Sequence, residues 1–284
     1  MYTTKREKLD NIKGFLDILD STAPVGKQKE QVIQSYLELH SDMIPTNKVL
    51  NHQVLYDFIF TKFPINNSNV TDLLYITKSS VQYKIVLIEL ENCEKKIFTA
   101  DVDKVIFSAE FNAAFQQVYN WKIEIEEHKH ELLRNLDHML DKQKYMNDPI
   151  YFDYQLIIGR SSEYEKNPNR KRHISMKQRD TGIEILTYDS LIQWYKNARS
   201  CKKDIIKLER DHYIIKNMDA NTQSYFAYLK PHQIKITKEQ KEELMKEGYQ
   251  IEKWENGEPL IVNHKYADLE SLKKARDEIS KESA

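Results

Sequence analysis

Apolar residues near the start of the chain recur at the spacing of a helix. Between residues 5 and 20 they return every three or four positions, as in an amphipathic helix. These residues are Leu9, Ile12, Phe15, Leu16 and Leu19. After a break at residues 21–26, residues 27–40 repeat the pattern. The inward residues there are Val32, Ile33, Tyr36 and Leu37. We therefore predict two helices, the second ending before Pro45.

Two segments in the middle of the chain have the composition of strands. VTDLLYIT and QYKIVLIELEN are separated by a polar turn at residues 78–80, which predicts an antiparallel hairpin. The second segment is apolar at successive positions where it begins, which is typical of a central strand buried on both faces. Residues 49–63 also alternate, and this pattern fits either a strand or a helix.

The longest periodic segment covers residues 103–142 and predicts one long helix or two helices end to end. Beyond it, YQLIIGR predicts a buried strand that ends at Gly159. IEILTYDSLIQWY predicts a strand followed directly by a helix. The polar residues 161–180 between these two segments are expected to form a loop.

The pattern changes near residue 210. A helix that ends at Gly248 is predicted from ITKEQKEELMKEGY. A hairpin around Asn256-Gly257 is predicted from IEKWENGEPLIVN, and a charged terminal helix from LESLKKARDEIS. We therefore predict an N-terminal helix (residues 1–22), a main domain (residues 23–210) and a C-terminal α+β extension (residues 211–284). The predicted fold class is α/β, with a mixed central sheet of four or five strands and helices on both faces.

The composition is that of a globular protein, with 40% hydrophobic and 31% charged residues among 284. A formal net charge of −1 neither supports nor excludes a nucleic-acid partner, because phosphate binding needs only a local basic patch. Cys93 and Cys201 lack the CxxC spacing of a zinc site or a disulfide framework. The sequence shows neither a signal peptide nor an apolar run of spanning length, so we expect a cytoplasmic protein without a membrane partner.

Two carboxylates end the predicted central strand. Strand side chains alternate between faces, so Glu89 and Glu91 share one face with Ile85 and Leu87. If the hairpin forms, Asp72 lies opposite this end of the strand. Neighbouring buried carboxylates repel each other, and a divalent cation would relieve that repulsion. Such an oxygen-rich site suits Mg²⁺ or Mn²⁺. Alternatively, the strand simply reaches solvent before the charged residues 94–96.

This arrangement resembles the core of PD-(D/E)XK nucleases, in which an Asp, a Glu and a Lys two residues later act together. Further segments resemble the Shedu anti-phage defence branch over residues 25–200. They are the helix around EQVIQSYLELHSDMIP, the spacing of Ala113, Gln116 and Tyr119, the strand YQLIIGR and the segment ILTYDSL. The resemblance implies a restriction-endonuclease-like fold, DNA as substrate and assembly into a homo-oligomer.

The resemblance also implies roles for individual residues. Asp72 and Glu89 would bind the metal, Glu30 would bind or orient its water, and Gln116 would support the site from the following helix. Glu38 is a rival for the role of Glu30, but its position predicts that it faces solvent.

The chain departs from this family pattern in two ways. Glu91 stands where the nuclease motif has Lys. Glu91 would then bind a second metal or act as general base, or else Lys84, Lys95 or Lys96 would supply the missing cation. In addition, the extra segment follows the nuclease-like part, whereas Shedu proteins commonly carry it before.

Basic residues are concentrated in the predicted loop at residues 161–180. The candidates for phosphate contacts there are Arg160, Arg170, Lys171, Arg172 and Lys177. The alternative is an ordinary solvated loop.

Three hypotheses follow from the sequence. The first is a Mg²⁺- or Mn²⁺-dependent endonuclease that hydrolyses DNA in anti-phage defence. The second is a catalytically inactive nuclease fold that binds DNA or a defence partner. In the third, the C-terminal segment senses a phage-derived trigger.

Overall fold

Eight strands form one mixed sheet in the computed structural model, which describes the chain except residues 1, 52–53, 102–103, 141–147, 262–263, 269, 271–272 and 274–284. The strands are β1 (Phe58–Pro64), β2 (Val70–Lys78), β3 (Tyr83–Leu90), β4 (Ile150–Ile157), β5 (Ile183–Leu186), β6 (Asp204–Glu209), β7 (His212–Asn217) and β8 (Ile234–Lys235). Their spatial order is β5-β4-β3-β2-β1-β6-β7-β8. The predicted count of four or five strands is therefore wrong, because the last three strands extend the sheet.

The predicted hairpin is confirmed and lies at the centre of the sheet. β2 and β3 pair in antiparallel fashion, with Leu73 opposite Ile88, and β4 pairs with β3 in parallel. β1 pairs with β2 on the other side of the hairpin and in parallel with β6. This arrangement brings the end of β1, the start of β2 and the end of β3 together at one end of the central strands.

Helices cover both faces of the sheet, as predicted. They are α1 (Lys5–Asp20), α2 (Lys29–Leu39), α3 (Ala109–Asn135), α4 (Pro168–Thr181), α5 (Tyr188–Asn197), α6 (Lys238–Lys246) and α7 (Ile251–Glu255). Val86 and Ile88 pack with α1, α2 and α5 on one face. Ile85 and Leu87 pack with α3 on the other. Burying one such side chain stabilises the fold by about 1.5–3 kcal/mol, so the alternation of β3 fixes which face each helix covers.

The polar loop predicted for residues 161–180 is wrong, because α4 occupies most of it. Asn167 caps the helix by accepting hydrogen bonds from the backbone N–H groups of Asn169 and Arg170, and Pro168 follows in the first turn. Gly182, with φ of 72°, ends it. Only Ile174 of this helix is buried, so the segment lacks the apolar period that would have revealed the helix.

The long helix is shorter than predicted among the described residues. It begins at Ala109, where Ser108 accepts a hydrogen bond from the N–H of Phe111 at 2.9 Å. Residues 104–107 precede this cap without helical structure, and residues 103, 141 and 142 of the predicted segment lie outside the described part of the chain.

Two expectations concern the end of the chain. The hairpin around Asn256-Gly257 is wrong, because α7 buries Trp254 and ends just before that pair. Gly257, with φ of 96°, belongs to the helix end and not to a turn between strands. The predicted helix LESLKKARDEIS lies, apart from single residues, outside the described part of the chain.

The boundary predicted near residue 210 falls in the tight turn between β6 and β7. Leu208 pairs with Tyr213 across this turn, so both sides of the boundary share one sheet. The division into domains stays a prediction. No helix in the described part of the chain has the length and apolar character needed to cross a bilayer.

Candidate active site

Three buried acidic residues lie at the edge where β2 begins and β3 ends. Asp72, Glu89 and Glu91 are 7%, 8% and 8% exposed. The Oδ2 atom of Asp72 accepts a hydrogen bond from the backbone N–H of Leu90 at 2.7 Å, which joins the two strands. Glu91 follows the last residue of β3, and its N–H donates to the carbonyl of Ile157 at 2.8 Å. The predicted hairpin thus places Asp72 beside the Glu89–Glu91 end.

Glu89 has the most unfavourable environment for a charge among these three. Burial, and next the charges of Asp72 and Glu91, raises the pKa of Glu89 to about 9. Its Oε1 atom accepts a hydrogen bond from Gln117 Nε2 at 2.5 Å. Its Oε2 atom is buried and accepts no hydrogen bond from the described residues, but a protonated Glu89 hydrogen-bonds with the side chain of Asp72. A buried oxygen of this kind is costly to leave without a partner.

Two lysines pair with the other carboxylates of the cluster. The ammonium of Lys62 pairs with Oδ1 of Asp72, and that of Lys95 pairs with Oε2 of Glu91. Their side chains are 50% and 30% exposed, so both can move away into solvent. Lys95 was one of the predicted candidates for the missing cation, whereas Lys62 was not predicted.

The other two candidates have different partners. Lys84 pairs with Asp153 at 3.1 Å, and Lys96 lies 3.9 Å from Glu163. Neither lysine therefore pairs with a carboxylate of the cluster.

Lys62 has an unusual backbone for a strand residue. Its φ is 46°, in the left-handed region, although it lies within β1. The flanking residues Thr61 and Phe63 pair with Leu73 and Thr71, so Lys62 lies opposite Asp72 at a local irregularity. A residue with a Cβ rarely adopts this conformation, and such strain tends to occur at functional sites.

Helix α2 contributes three polar side chains, each one turn apart. Burial, and next the charge of Glu91, raises the pKa of Glu30, and the role of Glu30 stays a prediction. Gln34 donates to Thr61 Oγ1 at 2.9 Å and reaches the carbonyl of Asp72 at 3.5 Å.

The expectation that Glu38 faces solvent is wrong. Glu38 is 5% exposed and pairs with Lys216 of β7, and Thr61 and Gln34 also donate to it. It belongs to the same polar row as Glu30 and Gln34, at the end of that row next to β7.

The position expected for Gln116 is also wrong. Its side chain is exposed and donates to Asn120 at 2.8 Å, whereas the next residue, Gln117, reaches Glu89. The apolar stripe of α3 could have shown this. At roughly 100° per residue, Gln116 lies opposite the stripe and Gln117 at its edge.

The donor set fits a hard divalent cation. Among the described residues, no three His, Cys, Asp or Glu side chains are grouped closely enough to hold a metal ion as they stand. However, Asp72, Glu89, Glu91 and Glu30 face only Lys62 and Lys95. If all six side chains were ionised, four negative and two positive charges would leave −2. An oxygen-only site with excess negative charge and an unpartnered oxygen suits Mg²⁺ or Mn²⁺.

The predicted basic residues fall into two groups. Arg160 is held by Asp189 at 3.0 Å and Asp20 at 2.7 Å. Arg170 donates to the backbone carbonyls of Glu163 and Thr99 and lies over the Phe98 ring. These two arginines support the fold.

The other three basic residues lie on α4. Lys171 and Arg172 are exposed, and Lys177 lies half-buried over the ring of Phe115. Lys171 and Arg172 are therefore the members of the predicted set most available for phosphate.

Comparisons with known proteins bear on this site. Among solved structures, one described as restriction endonuclease FokI matches with a TM-score of 0.35 and 10% identity. The match covers 68% of this chain and 27% of that one, so the chain spans about a quarter of that endonuclease. A search of curated proteins finds no match. The family described as "Shedu protein SduA, C-terminal" matches residues 27–192, more than half of the chain, and this span contains the four carboxylates of the cluster. The resemblance found in the sequence is thus confirmed, and the chain belongs to the Shedu SduA C-terminal family.

Proposed function

We propose that this chain is a metal-dependent endonuclease that hydrolyses DNA phosphodiester bonds in anti-phage defence. One observation supports the proposal above all others. Glu89 is buried beside two further carboxylates, and this arrangement is unfavourable unless Glu89 holds a proton or a cation binds there. Membership in the Shedu family supports a role in defence.

Asp72, Glu89 and Glu91 are the residues that would hold Mg²⁺ or Mn²⁺. When bound, such an ion activates water and stabilises charge on a phosphoryl group. Gln117 holds Glu89 in place by donating to its Oε1. The charge of Glu91 contributes to the raised pKa of Glu30, and Glu30 would orient a water molecule and accept its proton.

Lys62 and Lys95 would act on the phosphate. Both ammonium groups pair with carboxylates in this structure and both side chains are partly exposed. Once those carboxylates bind a cation, the two lysines become free to bind phosphate oxygens of the DNA. Lys62, opposite Asp72, is in our proposal the substitute for the lysine that Glu91 replaces.

DNA outside the cluster would meet Lys171 and Arg172 on α4. Each phosphate contact changes the slope of log affinity against log salt by about 0.9. The double variant Lys171→Gln/Arg172→Gln should therefore lower this slope by nearly 2, while Lys238→Gln on the exposed face of α6 should leave it unchanged. Assembly into a homo-oligomer and a phage-derived trigger acting through residues 211–284 remain part of the proposal.

A second candidate function is an inactive nuclease fold that binds DNA or a defence partner. Two observations favour it. Glu91 replaces the motif lysine, and the pairs that Lys62 and Lys95 form already neutralise two of the carboxylates. In that case the lysines stay paired and no cation binds.

The test is cleavage of supercoiled and linear plasmid with Mg²⁺ or Mn²⁺. We expect wild type to cut, and Asp72→Asn, Glu89→Gln and Glu91→Gln each to lose activity by at least on the order of 100-fold. Glu94→Gln is the matched control, because Glu94 is exposed and only three residues from Glu91. A wild type that binds DNA, shows no thermal shift with Mn²⁺ and never cuts would establish the binding module instead.

A further inference from the structure

A cleft of about 760 Å³ lies at the end of the sheet opposite the carboxylate cluster. Its lining includes Tyr2, Asp57, Trp194, Arg199, Cys201 and Lys203. Asp57 directly precedes β1 and Lys203 directly precedes β6, and these two strands are parallel neighbours. Because Asp57 lies five residues before Lys62 on the same strand, the two sites are separated by on the order of 15 Å. The volume is that of an ordinary small-molecule site.

The cleft contains two cationic side chains that form no close ion pair in the described part of the chain. Lys203 is only 5% exposed, and its ammonium donates to the backbone carbonyl of Cys201 at 2.9 Å. Arg199 is exposed and lies 4.8 Å from the centre of the Tyr2 ring. Among the described residues, neither cation has a carboxylate within 4.0 Å. Burial lowers the pKa of Lys203, and the charges of Cys201, Asp57 and Asp42 oppose this effect only in part.

Asp57 gives the cleft an acceptor as well. It is partly buried, and burial raises the pKa of its carboxyl group. Asp57 and the preceding Tyr56 both have left-handed backbones, with φ of 53° and 59°. Two successive non-glycine residues in this region are uncommon, and the surrounding fold must hold them there. The backbone therefore fixes a carboxylate in the same cleft as the two cations.

Aromatic rings complete the lining. Trp194 of α5 is half-buried and Tyr2 is 57% exposed, so each presents ring surface to the cleft. Flat rings stack on such surfaces, and a stacked base gains about 1–3 kcal/mol.

We propose that this cleft binds a mononucleotide, with its phosphate on Lys203 and Arg199, its base against Trp194 and Tyr2, and a base N–H donor on Asp57. A nucleoside phosphate is the ligand class that offers an anion, a flat ring and a hydrogen-bond donor together. The inference is independent of the proposed nuclease, because it uses none of the residues of the carboxylate cluster.

The experiment is a titration of the full-length protein in EDTA with GMP, AMP, guanosine and inorganic phosphate, followed by tryptophan fluorescence. Trp121 and Trp254 are 1% and 2% exposed, so Trp194 is the reporter that a ligand can reach. We expect saturable quenching by GMP or AMP. Guanosine and phosphate should each bind at least tenfold more weakly than the nucleotide, because each lacks half of the contacts.

Three variants test the assignment. Lys203→Met and Arg199→Gln should each weaken nucleotide binding by roughly tenfold or more, because each removes a charged partner of the phosphate. Lys202→Met is the matched control, since Lys202 is exposed, lies 3.8 Å from Asp219 and is absent from the lining. Arg199 is a surface residue, so its variant keeps the test valid if Lys203→Met fails to fold. The proposal is overturned if no nucleotide binds, if phosphate alone binds equally well, or if Arg199→Gln binds like wild type.

Discussion

The left-handed backbone of Lys62 leads to a prediction about which of two variants at this position is the more stable. Lys62→Gly and Lys62→Ala both remove the ammonium that pairs with Asp72, so the loss of that pair cancels between them. What remains is the response of the backbone at φ of 46°. We expect the glycine variant to be the more stable of the two.

The magnitude follows from two opposing terms. A left-handed conformation costs a residue with a Cβ about 1–2 kcal/mol. Glycine loses about 0.5–1 kcal/mol more conformational free energy than alanine on folding. The difference is about 0–1.5 kcal/mol in favour of Lys62→Gly. At an ordinary strand position only the second term applies, so glycine would be the less stable variant by about 0.5–1 kcal/mol.

Urea denaturation of the two variants measures this difference directly. The same two substitutions at Tyr151 provide the control, because Tyr151 is an exposed residue of β4 without a positive φ. There alanine should be the more stable variant. If alanine is also favoured at position 62, β1 is an ordinary strand there and Lys62 is not held in a strained conformation. Both Lys62 variants should lose DNA cleavage alike, and Lys62→Arg should retain part of it.

Three further predictions follow from individual contacts. Gln117→Leu should lower the apparent Mn²⁺ affinity by roughly 10-fold, because it removes the donor to Glu89, whereas Gln116→Leu should leave it unchanged. Burial raises the pKa of Asp204 to about 6 from 3.8, so its contribution to stability is present at low pH and lost as pH rises through 6. The free energy of unfolding of wild type relative to Asp204→Asn should therefore fall by about 1 kcal/mol between pH 5 and pH 7.5 in urea denaturation. Deleting residues 211–284 should abolish folding, as seen by circular dichroism, because it removes β7 and leaves β6 paired with β1 alone.

Sequence periodicity sufficed for the centre of the molecule. Strands β2 and β3 are apolar on both faces because each face packs against helices, and the two-residue repeat of a strand predicted which side chains in Lys84–Asn92 share a face. The same alternation placed Glu89 on one face at the end of β3, and the turn between the strands placed Asp72 opposite this end. These local rules brought together three carboxylates without knowledge of the fold.

Hydrophobic periodicity did not predict elements that bury few apolar side chains. Helix α4 buries Ile174 alone, so its caps at Asn167 and Gly182 were the only local sign of a helix. Lys62 could not be assigned either. Its role depends on a backbone irregularity in β1 and on the pairing of β1 with β2, and neither leaves a signature in the residue types.

The polar row on α2 shows how distant parts of the chain combine at the site. Glu38 appeared solvent-exposed from its neighbours in sequence, but β7 brings Lys216 against it, and Asn217 donates to its backbone carbonyl at 3.1 Å. Residues beyond position 210 thus complete the environment of the helix that carries Glu30. Deleting them would disturb this helix and β6 together, so lost phage resistance would not identify a sensor. An exposed substitution such as Glu242→Arg on α6 tests the sensing hypothesis more sharply. If the C-terminal segment is a sensor, this variant should lose phage resistance and still cleave plasmid.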